Sequence, residues 1–202
     1  MRRKNDQDDI SALVYAINHI HPLGDDIVAY LQANCFFTTC KRGKHLLKTG
    51  EICRTLYFIR TGALRGYIKE NTRDITTWIS IDNELVTSIS SFDLQVTAIE
   101  NIQALEDCDL IGISYNNLQK LYLKFPEYNI VARKVYQSYY RDAENRALIA
   151  RLTNAENKYL YFLRMHSHLA NRVPLKYIAS FLGITLETLS RVRKKLSISD
   201  AG

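Results

Sequence analysis

Between Asp9 and Gln32, apolar residues recur at helical spacing: Ile10, Leu13, Val14 and Ile17, then Ile27, Val28 and Leu31. His21-Pro22-Leu23-Gly24 interrupts them, so two short helices are expected. The pattern then changes period. Leu56-Tyr57-Phe58-Ile59 and Ala63–Ile68 are runs of aromatic and branched residues joined by Thr61-Gly62. Ile75, Thr77, Ile79 and Ile81 alternate with Thr76, Trp78 and Ser80. Ile99–Leu105 and Leu110–Ser114 follow, separated by the acidic turn Glu106-Asp107-Cys108-Asp109. Short strands spaced about ten residues apart predict a sandwich or small barrel of the jelly-roll kind.

After Tyr115 the pattern turns helical and stays so. Pro126-Glu127 is a good helix start, because proline's missing N–H has no partner in a first turn, and the segment runs to about Ala150 without Gly or Pro. Ala132, Tyr136, Tyr139, Ala143 and Ala150 fall on one stripe near heptad spacing, interrupted by Arg146. Two readings stay open for it: a dimer seam whose small residues allow close approach, or one helix packed on its own body. The chain shows no internal repeat and no low-complexity segment.

Composition narrows the class. With 202 residues, 47% hydrophobic and 24% charged, the chain can form one large domain or two modest ones, and disorder and fibrous folds are excluded. No apolar run approaches the roughly 18 residues of a membrane helix. Met1-Arg2-Arg3-Lys4 is followed by Asp6, Asp8 and Asp9 rather than by an apolar stretch, so no signal peptide is expected. Cys35, Cys40, Cys53 and Cys108 have neither CxxC spacing nor small-scaffold density, which points to reduced thiols in a cytoplasmic setting.

Charge is unevenly placed. The formal net charge of +6 comes from residues 151–202, where nine Lys/Arg face Glu156, Glu187 and Asp200, while the first 150 residues balance. A neutral body with a basic end suggests a polyanion partner, although a solvated basic helix has the same composition.

The stretch from Val173 to Leu196 decides between them. Ile178, Phe181 and Leu182 make an apolar helix face, Ala179 is small where a crossing helix comes close, and Gly183 suits a turn at positive φ. Thr185 can cap a second helix by accepting from the amide of Glu187 or Thr188. There Leu189, Val192 and Leu196 face inward and Glu187, Thr188, Ser190, Arg191 and Lys194 outward. A helix-turn-helix reads DNA with such outward groups. Arg191 suits guanine O6 and N7, and Glu187 a cytosine N4, each good contact discriminating by roughly 1–3 kcal/mol. Lys176, Arg193, Lys194 and Lys195 suit phosphates. Read instead as an i,i+4 surface pair, Glu187 and Arg191 are worth only about 0.3–0.5 kcal/mol.

Gly183-Ile-Thr-Leu-Glu-Thr-Leu-Ser-Arg191 resembles the recognition helix of Crp/Fnr-family transcription regulators. Gly50-Glu51, Leu56-Tyr57-Phe58-Ile59 and Gly62 resemble the hairpin of that family's cyclic-nucleotide-binding-type roll, and Ala104–Cys108 through Ile113-Ser114 its last strands. The likeness runs from about Phe37 to Leu196 in the family's order. It implies an α+β protein: N-terminal helices and a jelly-roll over 1–118, a dimerisation helix over 119–150 and a helix-turn-helix domain over 151–202. It also implies base contacts from Glu187, Ser190 and Arg191. The Glu-x-x-Ser-Arg form resembles the Fnr branch more than the catabolite-activator branch, and Leu186 stands where the latter usually has Arg, so the same operator preference is not expected. A β-wing after Leu196 is not expected.

In cyclic-nucleotide members a Gly-Glu pair holds the ribose and an Arg-Ser pair the cyclic phosphate. Here Val86-Thr87, beside Ser88, and Ala98-Ile99 occupy those places, and no Arg or Lys lies between Arg73 and Lys120. The helix positions that reach the purine fall on Ala143 and Glu144. A buried phosphate without a cation is poorly compensated, so cyclic AMP is not expected. The cysteines do not match an iron–sulphur spacing and read as buried small hydrophobes. His19/His21 and His166/His168 point apart on a helix, so no metal is expected. Trp78 reads as core, or else as the wall of a pocket for an uncharged effector.

The leading expectation is a homodimeric DNA-binding transcription regulator, meeting RNA polymerase if it activates, with no membrane partner and no identified cofactor. The alternative is a regulator that binds a nucleotide or other small effector through an atypical cassette. An enzyme on a cupin-like roll is set aside, because residues 55–114 contain no His.

Overall fold

The computed structural model describes residues 9–199. The charged start at Met1–Lys4, where no signal peptide was expected, and the stretch beyond the last helix, where no β-wing was expected, lie outside the described residues. Two compact units divide the chain. One holds the residues up to Tyr67 together with Ile79–Ser138, and the other Ile68–Trp78 together with the residues from Tyr139 on.

In the first unit, α1 (Ser11–Ile20) and α2 (Asp25–Asn34) bury Leu13, Ile17, Ile27 and Leu31. The break between them is the expected His21–Gly24 turn. Eight strands follow: β1 (Cys35–Cys40), β2 (His45–Leu47), β3 (Thr55–Thr61), β4 (Ala63–Glu70), β5 (Arg73–Ile81), β6 (Leu85–Val86), β7 (Asn101–Ala104) and β8 (Cys108–Ser114). They form two four-stranded sheets, β1-β8-β3-β6 and β2-β7-β4-β5. The fold is therefore the mixed helix-and-sheet class with a jelly-roll.

Phe58, Ile59, Leu64, Ile102, Leu110 and Ile111 are fully buried in this unit. Each such side chain contributes roughly 1.5–3 kcal/mol of hydrophobic stabilisation. Glycine is required twice. At the β3–β4 corner Gly62 has φ +116°, and a Cβ there would stand 2.6 Å from Cys108 Sγ. On β8 a Cβ at Gly112 would strike the Phe36 ring.

A short helix α3 (Ile89–Leu94) sits between β6 and β7, and α4 (Tyr115–Lys124) follows β8. The long helix α5 spans Tyr128–Arg151, opening two residues after Pro126. Asn129 and Ile130 donate to the carbonyls of Pro126 and Glu127, an i→i+3 turn that tightens the entry. Val131 and Ile149 are buried on α5, and no residue between them is. The chain ends in α6 (Ala155–His166), a 3₁₀ turn (Ser167–Leu169), α7 (Leu175–Leu182) and α8 (Leu186–Ser199). Among the described residues no helix is long and apolar enough to cross a membrane.

Candidate nucleic-acid interface

The interface is built on the turn between α7 and α8. Gly183 adopts φ +63°, which ends α7 in the left-handed region. Its amide donates to Ala179 and Ser180, and the amide of Ile184 donates to Ala179 at 3.0 Å, so those two carbonyls of the last turn are satisfied. Thr185 Oγ1 then accepts from the amide of Thr188 at 3.2 Å and caps α8. Ile178, Ala179 and Leu182 of α7 and Leu189 of α8 are buried with Phe162 of α6. Phe181 is half-buried, its ring edge-on to Phe162.

With that core set, Glu187, Ser190, Arg191, Lys194 and Lys195 are exposed on α8 and Thr188 is half-buried. Leu186, 42% exposed at the start of α8, joins the same polar surface. The Glu187 amide itself, the Thr185 hydroxyl and the nearby Arg191 guanidinium hold the Glu187 carboxyl below the usual carboxylate range. Arg191 Nη2 donates to Thr188 Oγ1 at 3.4 Å, which steers the guanidinium along the helix. A carboxylate acceptor and a forked donor thus stand one turn apart on an exposed helix start, the donor–acceptor chemistry of base-edge readout.

The basic side chains differ in what they touch. Lys176 is exposed, its ammonium 4.8 Å from the centre of the Tyr177 ring. Arg193 is half-buried, and its Nη1 donates to the carbonyl of Ala170 at 3.2 Å. Lys195 Nζ pairs with Glu156 Oε2 at 2.6 Å. Sequence reading also passed over two residues beside the motif. Ser180 Oγ on α7 accepts from the amide of Thr76 and donates to the carbonyl of Asp74, both at 2.9 Å. Lys158 of α6 is buried under the turn, its Nζ donating to the carbonyl of Leu182 at 2.9 Å. Neither has a local signal, because both partners are distant in sequence.

In the roll, the cassette residues Val86, Ser88 and Ala98 are buried and Ile99 is 79% exposed. Thr87 Oγ1 donates to the carbonyl of Thr55 at 3.2 Å and lies 3.2 Å from Cys53 Sγ. Ser91 Oγ accepts from Cys53 N and donates to Val96 O, while Gln95 Nε2 donates to Phe92 O and Cys53 O. These polar groups are spent on neighbouring backbone. Trp78, half-buried, and Ala143 and Glu144, exposed on α5, belong to the other unit. Burial raises the Cys35 and Cys108 thiols to about 11, so both stay protonated and apolar in character at neutral pH. Among the described residues no three His, Cys, Asp or Glu side chains gather as a metal site.

Along α5, Tyr136 and Tyr140 are 48% and 67% exposed, and Ala143 is exposed, whereas Ala132 and Tyr139 are half-buried. Tyr136 Oη also donates to Asp93 Oδ1 on α3 at 3.0 Å.

Fold and site together define a protein with a cyclic-nucleotide-binding-type roll and a helix-turn-helix. Residues 37–125 match the family model of the cyclic nucleotide-binding domain. The chain is 26% identical over 164 residues to the transcriptional activator protein Anr of Pseudomonas protegens, covering 75% of this chain and 66% of that protein. It is 27% identical over 164 residues to the fumarate and nitrate reduction regulatory protein of Yersinia pestis, covering 75% and 65%. The matched stretch thus spans just under two thirds of the length of these curated relatives. Among solved structures, FixK2 from Bradyrhizobium japonicum matches with a TM-score of 0.69 at 20% identity, over 82% of this chain and 86% of that one. The c-di-GMP-responsive global regulator CLP of Xanthomonas campestris matches with a TM-score of 0.69 at 18% identity, over 88% and 93%. The chain is thus similar to transcription regulators of the Crp/Fnr type, and its residues 37–125 match the domain from which their roll takes its name.

Proposed function

We propose that this protein is a sequence-specific DNA-binding transcription regulator, acting as a homodimer in the cytoplasm. The observation that carries the reading is the exposed start of α8, where Glu187, Ser190 and Arg191 stand out from a helix anchored by the buried Leu189. Glu187 and Arg191 read base edges, Leu186 offers an apolar contact to a thymine methyl, and Lys176 and Lys194 serve phosphates. The dimer forms along α5 through the exposed face that carries Tyr136, Tyr140 and Ala143. Two recognition helices then enter successive major grooves about 34 Å apart. If the protein activates, RNA polymerase is a further partner.

The roll does not take cyclic AMP in this reading. Its cassette has no Arg or Lys for a cyclic phosphate, and its hydroxyls are bonded to backbone. The match to a cyclic nucleotide-binding domain favours a second reading, in which an atypical cassette still binds a nucleotide. Calorimetry with cyclic AMP and cyclic GMP separates the two, and no heat is expected.

The main test is selection from random duplex DNA with the purified chain. An inverted repeat is expected, and Glu187→Ala with Arg191→Ala should lose it. Equal selectivity in that double variant would overturn the reading.

A further inference from the structure

Among the described residues, Lys158 is the one lysine buried from solvent, at 7% exposure. It lies in the first turn of α6, and its Nζ reaches across to donate to Leu182 O, at the last residue of α7, at 2.9 Å. That carbonyl is its polar partner, with no carboxylate paired to it among the described residues. The ammonium sits over the turn itself, 3.7 Å from where a Cβ on Gly183 would stand. A buried charge is costly unless compensated. Here the compensation comes from the negative end of α7, where helix carbonyls lack intrahelical partners. An apolar side chain of the same length would avoid the cost of burying charge but leave the carbonyl unpaired.

Resting on the DNA-reading function above, we propose that Lys158 is a positioning residue for base recognition. Its ammonium clamps the end of α7 and sets the angle at which α8 presents Glu187 and Arg191. The lever is short and sensitive. At 1.5 Å rise per residue, Arg191 stands on the order of 12 Å beyond Gly183. A tilt of about 10° at the turn moves its guanidinium by about 2 Å, beyond the window of a bidentate hydrogen bond. Phosphate contacts from flexible lysines tolerate such a shift, so the clamp governs specificity rather than general affinity.

The test uses the full chain as wild type, Lys158→Met and Lys158→Arg. Each is titrated with the duplex selected by the wild type and with a scrambled duplex of equal length, across a salt series, beside a thermal melt. Lys158→Met should lose at least tenfold on the selected duplex, keep wild-type affinity for the scrambled one and keep the salt slope. Lys158→Arg, which retains a cationic donor, should recover most of that loss. If Lys158→Met binds both duplexes as the wild type does, or loses equally on both, the inference is overturned. Should Lys158→Met not melt cooperatively, Lys158→Gln takes its place, with a drop of at least threefold in selectivity supporting the clamp and an unchanged selectivity overturning it. A wild type that selects no inverted repeat overturns the DNA-reading function itself, a failure visible before any variant is compared.

Discussion

Ser180 on α7 holds Thr76 on β5 through one hydroxyl, which takes the Thr76 amide at 2.9 Å and returns a hydrogen bond to the Asp74 carbonyl at 2.9 Å. Residues more than a hundred positions apart are thereby joined within one compact unit, and the end of the β4–β5 hairpin packs as part of the helix-turn-helix unit. Ser180→Ala removes both bonds and leaves a strand amide to find water. At about 1 kcal/mol for each hydrogen bond, roughly 1–3 kcal/mol of stability is at stake in this unit. Hydrogen exchange should show faster exchange of the Thr76 amide in the variant, and an unchanged rate would count against the tie.

The basic side chains of the helix-turn-helix divide by what they already touch. Arg191→Ala should cost roughly 1–3 kcal/mol of discrimination at one base pair of the selected site. Lys176→Ala should weaken binding to all duplexes alike and reduce the salt slope by about one. Lys195→Ala should leave that slope nearly unchanged, because Lys195 is paired with Glu156. Titrations at four or five salt concentrations check all three.

For the proposed dimer, the exposed Tyr140 on α5 suits the seam better than the half-buried Tyr139. Tyr140→Glu places a charge on the seam and should shift the protein to monomer in sedimentation at micromolar concentration. It should weaken operator binding in parallel. A Tyr140→Glu variant that sediments as the wild type would move the interface off this face.

Glu187 links the site to pH. Its carboxyl is held below the ordinary carboxylate range by its own amide, by Thr185 and by Arg191. The folded value lies under the unfolded one, so the stabilisation is present above about pH 4.5 and is lost as pH falls through the folded value. Denaturant melts between about pH 5 and 3 should show a shallower acid limb for Glu187→Gln than for the wild type.

Much of this molecule is legible along the chain, for a physical reason. The paired helices before Cys35, the β3–β4 corner at Gly62 and the turn at Gly183-Ile184-Thr185 depend on local periodicity, positive φ and capping, which neighbouring residues dictate. The shorter strands are not legible. β2 and β6 have three and two residues, too few to show any period, and exist because β7 and β3 pair with them. Nor does anything along the chain mark Arg65 on β4 as buried, yet it is 3% exposed, with its guanidinium 4.1 Å from the centre of the Tyr67 ring and bonded to Gln103.

The same division holds at the candidate interface. Sequence alone determined which residues form the second helix, where it starts, and that Leu189 faces in while Glu187 and Arg191 face out, since 3.6-residue periodicity and one cap settle those points. Tertiary structure decided what each cation meets: Arg193 turns to the Ala170 carbonyl, Lys195 pairs with Glu156 at the surface, and Lys158 goes under the turn. A charge's partner is chosen by groups brought close only when α6, α7 and α8 pack, and no spacing along the chain encodes that proximity.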